Sequence, residues 1–198
     1  YGSAFIVGEG LQRELLANNS KLSSPAIAFT GGTGTGKTTL SLIVALSLNC
    51  QDLQAEVEPC LMCIKCVGIL ERAFEGTDPN YIVKNSASMK LDDTLDMINL
   101  NLKSGTALVN RKSGTRVIAL EEAHNLTKKG IESLLMPIET ALTNPRKPRV
   151  HLFLTTSEKD TLFTSRAWQS RVLTYNIQPW TSQDIYDILV DINIDRKS

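Results

Sequence analysis

Short apolar runs alternate along the chain with stretches in which apolar residues recur every three or four positions. That alternation predicts strands separated by helices. Ala26-Ile27-Ala28-Phe29-Thr30 reads as a buried strand and runs directly into a glycine-rich loop. Thr38 to Asn49 then reads as an apolar helix packed on a sheet. Asn80 to Lys84 is a second predicted strand. Leu91, Leu95, Ile98 and Leu102 share one face of a predicted amphipathic helix. Arg116 to Leu120 is a third strand, closed by Glu121 and Glu122. Ile131 to Ala141 reads as a helix that Pro137 should kink or restart. Val150 to Thr155 and Val172 to Ile177 are the fourth and fifth strands.

Strands spaced by helices imply an α/β fold, a parallel sheet flanked by helices. Gln178-Pro179-Trp180 reads as a boundary. Beyond it, Thr181 with Asp184 three residues on predicts a helix N-cap. The expected division is a nucleotide-binding domain over 1–178 and the start of a helical lid domain over 179–198. With no initiator Met and no natural stop at Ser198, the chain reads as part of a longer protein.

The loop after the first strand is Gly31-Gly32-Thr33-Gly34-Thr35-Gly36-Lys37-Thr38. Glycines let backbone N–H groups approach phosphate oxygens without an intervening Cβ. The helix that follows aims its N-terminal N–H groups and positive dipole end at the same point. Lys37 is expected to reach the β- and γ-phosphates and the Thr38 hydroxyl to ligate Mg²⁺, with Thr39 completing the nucleotide-binding set. ATP with Mg²⁺ is therefore the expected ligand. Such a site also needs an acid at the end of a buried strand. Glu121 is expected near the metal, and Glu122 as the base that orients and deprotonates the attacking water.

All four cysteines fall between positions 50 and 66, as Cys50, Cys60, Cys63 and Cys66. Pairs two residues apart form a tight knuckle, and four thiolates close a tetrahedral Zn²⁺ site with no position left for catalysis. No export leader is present, so a disulfide staple is disfavoured. A structural zinc insertion over about 50–66 is the expectation, against four simply reduced thiols. The longest aliphatic stretch, Leu42 to Leu46, is too short to span a bilayer, and a cytoplasmic setting without membrane contact is expected.

Composition is that of an ordinary globular protein, 42% apolar and 21% charged, with 21 acids against 21 Lys and Arg. The balance is uneven: residues 51–100 hold nine acids and four bases, and residues 101–150 hold four acids and nine bases. This permits a basic face towards nucleic acid, or equally a solvated helix face.

Together, the phosphate loop, Asn49-Cys50 and the cysteine spacing resemble the bacterial clamp-loader ATPases of the AAA+ superfamily, the tau/gamma subunits of DNA polymerase III. Val7-Gly8-Glu9 looks like the family's adenine-side segment, which adds Val7 and Gly8 to the expected nucleotide contacts. Asn85-Ser86-Ala87-Ser88, with Lys90, Asp93, Thr94 and Asp96, resembles a further family stretch. Val117 to His124 resembles its Walker B segment, and Leu134-Leu135 with Ile138-Glu139 the helix after it. Leu154-Thr155-Thr156-Ser157 resembles the sensor strand, with Thr156 and Ser157 as the two candidates for the γ-phosphate contact. Ser170-Arg171-Val172 resembles the motif whose arginine reaches a neighbouring subunit's ATP, with Arg166 the alternative on that segment. Departures are Glu121 for Asp, Leu95 for Arg and Val172 for Cys, a divergence that would suit a phage or distant relative.

The resemblance implies an ATP-hydrolysing motor subunit of a sliding-clamp loader. Its implied partners are other loader subunits, in a pentamer, together with the clamp and primer–template DNA. A catalytically silent subunit resembling delta-prime is the alternative. An unrelated P-loop enzyme, such as a nucleotide kinase, stands third.

Overall fold

Ala26 and Ala28 pack into one hydrophobic cluster, while Ile27 and Phe29 pack into another. The period-two alternation of strand side chains sends neighbours to opposite sheet faces, so both faces of this sheet are covered. The structure, a computed structural model, describes residues 10–11, 13–14, 22, 24–53, 58–73, 78–90, 92–93, 96, 115–143, 150–157 and 165–195. Among them lie five strands: β1 (Ala26–Thr30), β2 (Tyr81–Asn85), β3 (Arg116–Glu121), β4 (Val150–Thr156) and β5 (Leu173–Asn176). All pair in parallel, in the order β2-β3-β4-β1-β5. β4 therefore separates the strand that feeds the phosphate loop from the strand that ends in the two acids.

Helix α1 (Lys37–Asn49) covers one face through Leu40, Val44, Ala45, Leu46 and Leu48, joined by Cys66 and Ile69 of α2 (Ile64–Arg72). Phe29 anchors this side, edge-on to Phe153 with ring centroids 5.8 Å apart and stacked on Tyr175 at 6.2 Å. Such aromatic pairs add about 0.5–1.5 kcal/mol each beyond simple burial. The other face carries α3 (Lys128–Thr143) through Leu134 and Ile138, and the short α4 (Arg166–Gln169) through Trp168.

α3 runs unbroken through Pro137, so the proline does not start a fresh helix. A mid-helix proline costs about 3 kcal/mol. Here Leu134 and Ile138, 0% and 2% exposed, pin the helix to the sheet on both sides of it. The predicted amphipathic helix over 91–102, with Leu95, lies outside the described residues except at 92–93 and 96. Val172 and Ile177 prove to flank β5, buried at its two ends.

Past the sheet, α5 (Ser182–Asp195) opens on a reciprocal cap. Thr181 N and Oγ1 both donate to Asp184 Oδ2, at 2.8 and 2.7 Å, and Asp184 N donates back to Thr181 Oγ1 at 3.1 Å. The Thr181 hydroxyl and N–H hold the Asp184 carboxyl below its ordinary range. This is the cap that Thr181 and Asp184 predict. Among the described residues no helix is long and apolar enough to cross a membrane.

Candidate functional site

Three strand ends converge on the phosphate loop. β1 ends at Thr30, and the chain turns through Gly31, Gly34 and Gly36, whose φ angles of 148°, 78° and 89° lie where side chains are disfavoured. Gly31 is the tightest point: a Cβ there would run into the Ile177 carbonyl oxygen. That carbonyl is fixed, because Ile177 N donates to Thr30 O at 2.7 Å. Gly31→Ala is therefore expected to lower stability by about 2–3 kcal/mol, read as a drop in Tm, with β5 displaced from β1. An unchanged Tm would mean that the loop tolerates a wider turn.

Lys37 opens α1 and is only 9% exposed. Its Nζ donates to the carbonyls of Gly31 and Gly32 at 2.9 and 2.6 Å, so the ammonium lies folded into the loop. Burial lowers its pKa, and the charge of Glu122 opposes that shift. Thr35 Oγ1 donates to Gly32 O at 2.9 Å and tightens the same turn. Gly32, Thr33, Gly34, Thr38 and Thr39 are exposed, as a surface meant to receive a ligand must be. The loop thus fits a polyphosphate. It has an exposed glycine-rich surface, a buried cation, and a helix N-terminus without a side-chain cap.

Glu121 closes β3 opposite Asn85 of β2. Glu122 follows in the left-handed region, φ 51°, an uncommon conformation for glutamate that turns the chain sharply off the sheet. A 3-10 turn, Ala123–Asn125, comes next. From it His124 reaches two ways: Nδ1 lies 3.2 Å from Thr156 Oγ1, and Nε2 lies 3.4 Å from Glu122 Oε2. Thr156, at the end of β4, is fully buried, while Ser157 is exposed. Of the two predicted sensors, Thr156 is thus the one tied to the predicted base. Its main-chain carbonyl also accepts from Gly31 N at 3.2 Å. His124 closes the segment that resembles Walker B, a resemblance that gives it no role of its own.

The predicted finger Arg171 follows α4. Its guanidinium contacts Glu139 of α3 at 3.1 Å and the Ala167 carbonyl at 3.1 Å. Both charged groups are partly exposed, so this surface pair contributes little to stability. Arg166, on α4, is exposed. Val7 and Gly8 lie outside the described residues.

The cysteines come together at the far end of α1. Cys50 follows its last turn, Cys60 and Cys63 form a knuckle around Leu61 at φ 59°, and Cys66 lies inside α2. The four Sγ atoms lie within 4.8 Å of one another, and all four thiols are free. A tetrahedral zinc with bonds of about 2.3 Å needs sulfurs about 3.8 Å apart, so only a slight contraction is required. Backbone N–H groups of Cys60, Cys63 and Cys66 already point at the sulfurs of Cys50, Cys60 and Cys63, at 3.3, 3.3 and 3.5 Å. Burial alone would push Cys63 up, but the N–H groups of Gln51 and Cys66, with the Cys66 and Cys60 thiols, outweigh it and bring the group down to about 6. Burial, reinforced by the Cys63 thiol, pushes Cys66 up. Burial makes the Cys66 thiol costly to ionise without a cation beside it.

A sequence profile of the family described as DNA polymerase III, delta subunit, matches residues 9–181. The chain belongs to that family. It is a clamp-loader AAA+ relative by its curated matches as well. The DNA polymerase III subunit gamma/tau of Mycobacterium tuberculosis H37Rv is 31% identical over 144 residues, covering 72% of this chain and 23% of that protein. The subunit gamma of Buchnera aphidicola subsp. Baizongia pistaciae is 28% identical over 166 residues, covering 83% of this chain and 40% of the relative. This delta-family chain therefore spans less than half the length of either. Its fold matches the Thermotoga maritima RuvB Holliday junction branch migration motor, with TM-score 0.56 and 19% identity over 93% of this chain and 47% of that one.

Proposed function

We propose that the chain is the ATP-binding and ATP-hydrolysing motor domain of a sliding-clamp-loader subunit. The observation that carries this reading is the junction of the strand ends, where Lys37 lies within the field of Glu122 and Glu122 is linked through His124 to Thr156. A binding-only loop has no use for a base connected to a sensor. Lys37 holds the β- and γ-phosphates, Thr38 and Glu121 hold Mg²⁺, and Glu122 orients the attacking water. Mg²⁺ supplies neutralisation of the charge that develops on the phosphates. Cys50, Cys60, Cys63 and Cys66 hold a structural Zn²⁺. α5 begins a helical lid, and its exposed Ile185, Tyr186, Leu189 and Val190 suit an element that packs within such a domain. Arg171 acts on the ATP of a neighbouring subunit, for which its guanidinium exchanges its contacts with Glu139 and the Ala167 carbonyl for a phosphate.

The second reading is a silent, delta-prime-like subunit. The family profile, described as delta, and Glu121 in the metal position favour it. The gamma/tau names of the relatives and the intact Lys37, Thr38 and Glu122 favour the motor. Steady-state ATP hydrolysis by the full-length protein with partner subunits, clamp and primed DNA separates the two. The motor predicts turnover stimulated by clamp and DNA. Arg171→Ala should then lower kcat of the assembled complex on the order of a hundredfold, with this chain's own nucleotide affinity changed by less than about twofold. Stoichiometric ATP binding without turnover in any assembly supports the silent subunit.

A further inference from the structure

Arg171 holds its guanidinium against its own chain at three points. Nη1 donates to the Ala167 carbonyl and to Ser170 Oγ, both at 3.1 Å, and Nη2 donates to Glu139 Oε2 at 3.1 Å. The Nη1 bonds have a local explanation. Ala167 lies in the single turn of α4, whose last carbonyls need donors, and the Ser170 hydroxyl donates to the same carbonyl at 3.1 Å. Glu139 has no such explanation. It lies 32 residues away on α3, and closing the end of α4 requires no carboxylate.

Packing fixes both ends of this pair. Glu139 directly follows the buried Ile138, and Arg171 lies between the buried Trp168 and Val172. These three apolar side chains belong to one cluster on the sheet, so the two backbones are held at a set spacing. The charged groups themselves keep contact with water, the Arg171 and Glu139 side chains being 26% and 57% exposed. A pair of this kind is weak enough for a stronger anion to break. The terminal phosphate of a triphosphate carries more charge than a carboxylate and engages the planar fork of a guanidinium through two oxygens. It is such an anion.

We propose that Glu139 is a positioning residue that latches Arg171 against its own chain, so that the guanidinium acts only on a neighbour's nucleotide seated closely enough to displace the carboxylate. The inference rests on the reading of Arg171 as the group that acts on the ATP of a neighbouring subunit. The latch sets a threshold. While subunits are loosely seated, Arg171 stays on Glu139, and the neighbour's transferring phosphoryl lacks that cation. When they seat closely, the phosphate takes the guanidinium and Glu139 turns to water. The carboxylate is half-exposed, so leaving it unpaired costs little. Glu139 thus suppresses hydrolysis in the loose assembly without lowering it in the closed one.

The test is steady-state ATP hydrolysis by the full-length protein assembled with its partner subunits, with and without clamp and primed DNA. Glu139→Gln keeps the length of the side chain and removes its charge; Glu139→Ala removes the contact altogether. Each should raise the unstimulated kcat about two- to fivefold, the range that an exposed ion pair commands. The stimulated kcat should stay as it was, so the degree of stimulation falls by the same factor. In the Arg171→Ala background, neither substitution at Glu139 should change turnover. A merely structural role for Glu139 would not lower the degree of stimulation, nor depend on Arg171. Unstimulated turnover that is unchanged or lower in both Glu139 variants overturns the latch, and so does a rise that persists in Arg171→Ala. Turnover unaffected by Arg171→Ala alone overturns instead the reading of Arg171, and the latch with it.

Discussion

Lys37→Ala is expected to weaken ATP binding by about 3 kcal/mol, a hundredfold or more in Kd, and to bring turnover to background. The size follows from where the ammonium lies. It is nearly buried at the start of α1 and folded onto the Gly31 and Gly32 carbonyls, within the loop proposed to receive the phosphates. Charge-assisted bonds formed there replace bonds to neutral carbonyls, and no other lysine or arginine among the described residues occupies the loop. The fold itself should survive. Alanine is the better helix former at the first position of α1, and the two freed carbonyls belong to a loop with water access. A thermal-shift series separates the two effects. Mg²⁺ and ATP at about a hundred times the unsubstituted protein's Kd should stabilise that protein by about 2.7 kcal/mol and the variant by no more than about 0.4 kcal/mol. Equal shifts in the two proteins would remove Lys37 from the site.

What could be read without coordinates was local. The phosphate loop lies within one short segment, the acids are adjacent, and the cysteines span seventeen positions, so each carries its chemistry in its spacing. Strands β1, β3 and β4 were equally visible, because strands buried on both faces are apolar throughout. The strand order was not. It depends on pairing between distant segments, such as Leu120 with Leu154, and it alone brings the end of β4 beside the turn after Glu122. His124 escaped for the same reason: its partner Thr156 lies 32 residues away. The helix around Pro137 was legible, but not that it runs on without a fresh start, which depends on the burial of Leu134 and Ile138 on either side. Arg171 shows the limit of a single chain. Its motif implies a neighbour, while within this chain it contacts Glu139.

Cys66→Ser should have the second large effect, on the fold and not on the chemistry. Cys66 is 0% exposed and packs in the cluster that holds Ile69, Val44 and Leu46. With zinc bound, four thiolates share one dication. With serine there, the remaining thiolates face a weaker site, and a hydroxyl is left buried among apolar side chains. The expected outcome is one zinc per chain in the unsubstituted protein purified without chelator, less than half that in the variant, and a stability loss of about 3–5 kcal/mol. Because Cys50 directly follows the last turn of α1, a metal held there would grip the far end of the helix that begins at Lys37. That helix is 13 residues long, so the metal lies about 20 Å from the phosphate loop. Nucleotide affinity of the folded fraction should therefore fall by less than about threefold. Metal analysis decides the matter: a protein with four reduced thiols and no zinc would reduce the cluster to core packing. A variant that loses zinc yet keeps its Tm would mean that the metal is bound without supporting the fold.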